Sequence, residues 1–306
     1  MTFTRNFVIH ALAPFNFDLT AQIFSNGDNQ IRTYAKSKFY EVLRINGNLV
    51  LVNLTSEGTT EEPRVKVELK SNVAMTPQIK KEAEIAIKFV FNLDFDLCSF
   101  YYDVKDSTMR EIAQQLYGLK NPTTPTVFEA LVDSIIEQQI SIRVAHTIEE
   151  RLVRKFGETL DINGETYHAY PTAQNLACVN IEEIRSCGLT QRKAEYIYEA
   201  AQLIVNNKLD LESLKNQGDS QQIISELDAI RGIGVWIAEL TMLRGMRKLD
   251  ALPADDLGIR RVISTYYCGG RQINSAEARE IAKSWGKWKG LAAFYLIVAE
   301  AKGITV

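Results

Sequence analysis

The chain has 306 residues, 46% of them hydrophobic, with 35 Lys and Arg against 38 Asp and Glu for a formal net charge of −3. Such a length holds a sizeable core in two domains or one elaborated one. No run approaches the ~18 to 20 apolar residues of a membrane span, and no signal-peptide pattern opens the chain. The slightly acidic balance speaks against a nucleic-acid binder, but weakly, because charge on the binding face matters more than the total.

The cysteines Cys98, Cys178, Cys187 and Cys268 are dispersed and form no Cys-x-x-Cys pair. That spacing suits free thiols in a reducing compartment, not a zinc site, an iron-sulfur cluster or a disulfide framework. The histidines His10, His146 and His168 stand alone, so no clustered metal site is expected. A cytoplasmic or nuclear protein, not a secreted one, is the expectation.

The first hundred residues read as a β-rich domain. Phe39 to Leu54 holds two alternating runs joined by Asn46-Gly47, a hairpin signal, and Arg64 to Leu69 alternates again. Pro77 to Phe91 has helical spacing, with Ile79, Ala83, Ile87 and Val90 on one side. After about Asp94 everything reads as helical. Helices are expected over Asp106 to Leu119, Val127 to Ile140, Ile142 to Lys155, Thr172 to Cys178, Ile181 to Cys187, Gln191 to Asn206, Ser225 to Ala229, Val235 to Leu243, Leu257 to Tyr267 and Ala276 to Ala301. The fold class is therefore α+β: an antiparallel sheet domain over residues 1–100, then a helical region over 101–306.

Two features of the helical region carry chemistry. In Ile230-Arg231-Gly232-Ile233-Gly234 a short helix ends, two glycines permit a tight turn, and an apolar helix begins at Val235. Glycines let backbone approach a ligand, and the new helix offers unpaired N–H groups at its positive end, which together suit a phosphate. The same pattern also serves as a plain interhelical turn with a glycine C-cap. Further on, Pro253-Ala254-Asp255-Asp256 precedes the helix at Leu257. Either aspartate is an ordinary N-cap, and two adjacent ones allow one to cap while the other faces a cleft.

Together the stretches L-x-x-I-x-G-I-G-x-W-x-A and L-P-x-D-D resemble the helix-hairpin-helix (HhH-GPD) DNA glycosylase superfamily, most of all its 3-methyladenine DNA glycosylase II (AlkA-like) branch. Phe128 to Ala145 is similar to the family's long helix and wedge loop. Pro171 to Ala200 and Trp285 to Glu300, with its Trp-x-x-Trp-x-x-x-A pattern, are similar to further family segments in the right order. The resemblance places the hairpin at 227–243 and the catalytic segment at 252–262. It makes Asp256 the catalytic carboxylate, which stabilises positive charge growing on the sugar and orients or deprotonates water. Asp255 then becomes the structural cap. Gly232, Ile233, Gly234 and Arg231 would hold DNA backbone, with Arg244, Arg247, Lys248, Arg260 and Arg261 as local positive charge. Gln138 and Gln139 would enter the gap left by a flipped base, Gln139 foremost. Backbone carbonyls of Asp228, Ile230 and Ile233 would hold Na+ or K+ in the DNA-bound state, and no cofactor is otherwise implied.

The family's bifunctional members carry a Schiff-base lysine where this chain has Trp236, which implies hydrolysis without lyase chemistry. Trp236 is read equally as base-pocket or core residue. The chain departs from the alkylation-specific pattern at Ile297, where relatives carry an aromatic residue that stacks on the flipped base. Tyr295, Phe294 or an aromatic of the N-terminal domain could substitute. The expected protein is thus a monofunctional, monomeric glycosylase acting on alkylated bases in damaged double-stranded DNA, away from membranes. A glycosylase of the same fold for oxidised or deaminated bases, and a non-catalytic lesion-binding protein, are the alternatives.

Overall fold

The computed structural model describes residues 1–306. Five antiparallel strands, β1 (Phe3–His10), β2 (Arg32–Ala35), β3 (Lys38–Ile45), β4 (Asn48–Ser56) and β5 (Arg64–Ser71), form a sheet in the order β1-β5-β4-β3-β2. The β3–β4 turn has Asn46 and Gly47 both at positive φ, 49° and 73°, the backbone that lets a two-residue loop follow strand twist. Alternate residues Val50, Val52 and Leu54 on β4 and Val65, Val67 and Leu69 on β5 point into one core. Helices α1 (Phe17–Phe24) and α2 (Pro77–Val90) cover that face, α2 through Ile79, Ala83, Ile87 and Val90, the stripe its spacing predicts.

The remaining helices are α3 (Leu97–Asp103), α4 (Ser107–Gln115), α5 (Val127–Glu137), α6 (Ile142–Phe156), α7 (Ala173–Ala177), α8 (Ile181–Arg185), α9 (Gln191–Val205), α10 (Ser220–Asp228), α11 (Val235–Gly245), α12 (Leu257–Tyr267), α13 (Ser275–Ala282) and α14 (Lys289–Ala301). They enclose two cores. One is built on α5, α9 and α11, the other on α3, α4, α12 and α14. Helices α5 and α11 lie so close that a Cβ added at Gly245 would stand 2.8 Å from Ala130 Cβ. The chain crosses from one core to the other between Ala251 and Leu252, immediately before the candidate catalytic segment.

Three local expectations are corrected. The stretch after Asp94 is not wholly helical: β6 (Thr159–Ile162) and β7 (Glu165–His168) form a hairpin. Its Leu160 and Ile162 bury Val42 and Leu51 on the second face of the large sheet, which explains why those two strand residues are apolar. Helix α5 stops at Glu137, three residues short, and Gln139 takes a positive φ of 55°. The stretch from Ala276 to Ala301 is broken into α13, a 3-10 segment Lys283–Trp288 and α14, because Gly286 adopts φ 57° and ψ −126°, which no helix accommodates.

Buried charge ties the sheet to the helices. Arg32 of β2 pairs with Glu41 of β3 at 2.9 Å and with Glu129 of α5. Asp133 of α5, hydrogen-bonded by the Tyr170 hydroxyl at 2.6 Å, and Glu149 of α6, contacted by Asn26, complete the group. These carboxylates outnumber the one cation, and each stands in a dry setting. Burial raises the Glu149 carboxyl to about 7, with Glu129 and Glu137 pushing the same way against Arg32 and the Asn26 contact. The folded protein therefore keeps a proton that the unfolded chain releases near ~4.3. This contribution to stability is complete below that range and is lost as pH rises through about 7. Urea midpoints should fall from about pH 4 to about pH 7 and level off above, and Glu149→Gln should flatten the decline. An unchanged slope in that variant would exclude Glu149 as its source.

Candidate active site and nucleic-acid interface

The hairpin joins α10 to α11. The amide of Ile230 donates to the Leu227 carbonyl and that of Ile233 to the Ile230 carbonyl, each at 3.0 Å. Gly232 has φ +84°, and an added Cβ would lie 2.4 Å from the Tyr196 ring. Its glycine is thus required by the fold itself. Gly234 differs. It is the N-cap of α11 at φ −87°, no side chain caps the helix there, and an added Cβ would meet nothing within 4 Å. The positive end of α11 is left open to an incoming anion. Ile233 is 2% exposed and its amide is engaged, so its side chain belongs to the core and only its carbonyl is free to serve a ligand.

Asp256 sits at the seam of the two helical cores. It is the N-cap of α12: one carboxylate oxygen accepts from the Ile259 amide at 2.9 Å. The other oxygen accepts from the Trp236 indole N–H at 3.2 Å. This overturns the expected division of labour. Asp255 is not the cap; it is exposed and lies 3.6 Å from Arg279, while Asp256 caps α12 and meets Trp236 at once. Trp236, half-buried on the first turn of α11, both packs on the core and orients the carboxylate.

Sequence reasoning missed the support behind this loop. Glu239 on α11, 4% exposed, holds Arg279 of α13 through two contacts of 2.8 and 3.1 Å. Arg279 also donates to the Leu252 carbonyl at 3.1 Å. An apolar helix with one glutamate is the only signal in the sequence, and it does not name the partner. Leu257, 76% exposed directly after Asp256, and Val235, 40% exposed at the hairpin, were likewise unremarked. They present apolar surface next to Asp256 and Gly234.

The candidate basic residues divide. Arg231 pairs with Glu195 and Glu199, Arg244 with Glu137 at 2.7 Å, Arg247 with Asp94, and Arg261 with Glu300. Arg247 also donates to the Phe89 carbonyl and Lys248 to that of Gln217, so both are structural. Arg260 makes no ion pair, and its buried Nε has no partner. Arg244 is held above its ordinary range although burial opposes this, through Glu137 with smaller contributions from Asp133 and Asp256. That places Arg244 within electrostatic reach of the catalytic candidate.

Gln139 is exposed at the tip of the turn after α5, and Gln138 is its half-buried neighbour. A non-glycine residue at positive φ is uncommon and tends to mark a constrained functional turn. Tyr295 is corrected. It is fully buried, and its hydroxyl donates to the Leu119 carbonyl at 2.6 Å, so it is a core residue that no base can reach. Ile297, two residues on, is 42% exposed. Trp285 and Trp288 are also core, their indoles donating to the Tyr267 hydroxyl and the Asp103 carboxylate.

A glycine turn opening onto a bare helix end is thus tied, through Trp236, to a carboxylate fixed at a second helix end. The model of the HhH-GPD superfamily of base excision DNA repair proteins matches residues 132–287, and the chain belongs to this superfamily. It is 32% identical over 222 residues to a DNA-3-methyladenine glycosylase of Bacillus subtilis, covering 71% of this chain and 72% of that one. It also resembles the solved 3-methyladenine DNA-glycosylase of Archaeoglobus fulgidus, with a TM-score of 0.86 and 26% identity over 98% of this chain and all of the other. The 8-oxoguanine glycosylase/lyase of Clostridium acetobutylicum, in complex with DNA, shares the fold at TM-score 0.77 and 19% identity, covering 99% of each chain.

The two glycines should separate by experiment. Gly234→Ala should keep its melting temperature while DNA affinity falls ~10-fold, since the methyl obstructs only a partner. Gly232→Ala should instead destabilise the fold by ~1–3 kcal/mol. Thermal melts with DNA titrations check both.

Proposed function

We propose that this chain is a DNA glycosylase that hydrolyses the N-glycosidic bond of alkylated bases flipped out of duplex DNA. The observation that carries the reading is the Asp256 carboxylate, held from two sides by Ile259 and Trp236 beside the open end of α11. The hairpin would grip a backbone phosphate, Gln139 would occupy the vacated stack, and the extruded sugar would present C1′ to Asp256. As the C1′–N bond lengthens, positive charge on the sugar is stabilised by the fixed carboxylate. Water adds to C1′, its proton passing to Asp256, and a cationic alkylated purine leaves as a neutral base.

We read the enzyme as monofunctional. Trp236 occupies the family's lysine position, and Lys248 is tied to the Gln217 carbonyl. The carbonyls of Asp228, Ile230 and Ile233 are hard neutral donors. Such a set suits a weakly held Na+ or K+ over a transition metal; a cation there would link the hairpin to phosphate. No helix is long and apolar enough to cross a membrane, and we place the protein with DNA in the cytoplasm or nucleus, as a monomer. One observation favours the second reading, a glycosylase for oxidised or deaminated bases: with Ile297 at the expected stacking position and Tyr295 buried, the half-buried Phe294 is the one aromatic of α14 left to substitute.

Asp256→Asn should retain the fold, because asparagine is an equally good N-cap. Excision should fall by ~10²-fold or more, while affinity for duplex DNA stays similar or rises with the loss of a negative charge near phosphates. Single-turnover base release and binding isotherms measure the two effects. Unchanged excision would remove Asp256 from the mechanism.

A further inference from the structure

The turn after α5 is poorly held by its own backbone. The amide of Gln138 reaches the Ile135 carbonyl at 3.4 Å and that of Ile140 the Glu137 carbonyl at 3.4 Å, both long contacts. Its firm links come from elsewhere. Lys193, on the first turn of α9 and 9% exposed, donates from Nζ to the Ile136 carbonyl at 2.8 Å and to the Gln138 carbonyl at 2.5 Å. A charged donor here satisfies carbonyls that the end of α5 leaves orphaned. One turn further along α9, the Tyr196 ring lies under Gly232, and Glu195 and Glu199 hold Arg231. A single rigid helix therefore touches both the turn that carries Gln139 and the glycine hairpin.

We propose that Lys193 is a positioning residue for base flipping. Its ammonium fixes the Gln138–Gln139 turn at a set distance from the phosphate-gripping hairpin, with α9 as the spacer between them. The inference rests on the proposed function for its DNA, but it assigns a role to a residue outside the catalytic and hairpin motifs. Removing the ammonium leaves the two carbonyls without a donor and frees the turn, so Gln139 no longer enters the stack at the moment the base leaves it. The chemical step at Asp256 is untouched.

The test uses the full chain carrying Asp256→Asn, so that no turnover is needed. A duplex bears 7-methylguanine paired with cytosine and a neighbouring 2-aminopurine whose fluorescence rises when the lesion leaves the stack. A second duplex sets the same lesion opposite an abasic analogue. Lys193→Met should lower the flipping equilibrium ~10-fold on the paired duplex and less than ~3-fold on the unpaired one, with Lys193→Arg restoring most of the loss. Affinity for undamaged duplex should stay within ~2-fold, since the phosphate contacts are intact. Equal losses on both duplexes, or a Met variant that flips like its parent, would overturn the proposal. A failure of the proposed function shows separately, as base release that does not depend on Asp256 in the otherwise native chain.

Discussion

One carboxylate fastens the two helices on which the site depends. Asp256 caps α12 through Ile259 and takes the Trp236 indole proton from α11. The open N-terminus of α11 and the Asp256 carboxylate are thereby fixed relative to each other. A water-exposed carboxylate on a mobile loop could not serve the same purpose, because stabilisation of a developing charge requires dipoles and charges already in place. The cap also supplies what a fold needs on its own, a partner for the first amides of α12. Both oxygens of the group thus carry a structural hydrogen bond, one to each helix.

Around this link the chain builds a frame of close contacts. Gly245 lets α11 settle against α5, and Glu239 with Arg279 secures the loop that leads to Asp255. The passage from Ala251 to Leu252 moves the chain between two hydrophobic cores, so Asp256 lies just past their seam. The sheet domain is fastened to α5 by Arg32 and Glu129, the helix whose far end carries Gln138 and Gln139. The net negative charge of the chain is no obstacle in this frame. Most of the arginines near the motifs are neutralised by acids, and the proposed anion site draws on backbone at the start of α11.

Much of this was legible in the sequence because it is local. Asn46-Gly47 announces a hairpin, the stripe of Ile79, Ala83, Ile87 and Val90 announces a buried helix face, and the Gly-x-Gly turn with Pro-Ala-Asp-Asp marks the site and the family. What was hidden depends on partners distant in sequence. Leu160 and Ile162 look like any short apolar run until Val42 and Leu51 stand opposite them. Tyr295 could not be told from a pocket aromatic without Leu119 to receive its hydroxyl. Asp255 and Asp256 are equal as caps from residue type alone, and the hydrogen bond from the Ile259 amide decides for Asp256. Lys193 reads as one polar residue at a helix start, and its carbonyl partners lie more than fifty residues earlier.

The most direct test of the account is the product of the native chain acting on duplexes that carry 3-methyladenine, hypoxanthine, 8-oxoguanine or uracil. Hydrolysis directed by a single carboxylate predicts free 3-methyladenine and a strand that stays intact until alkali breaks it at the abasic site. A strand nicked by the protein itself and trapped on it by borohydride, or specific binding with no base released from any duplex, would contradict it.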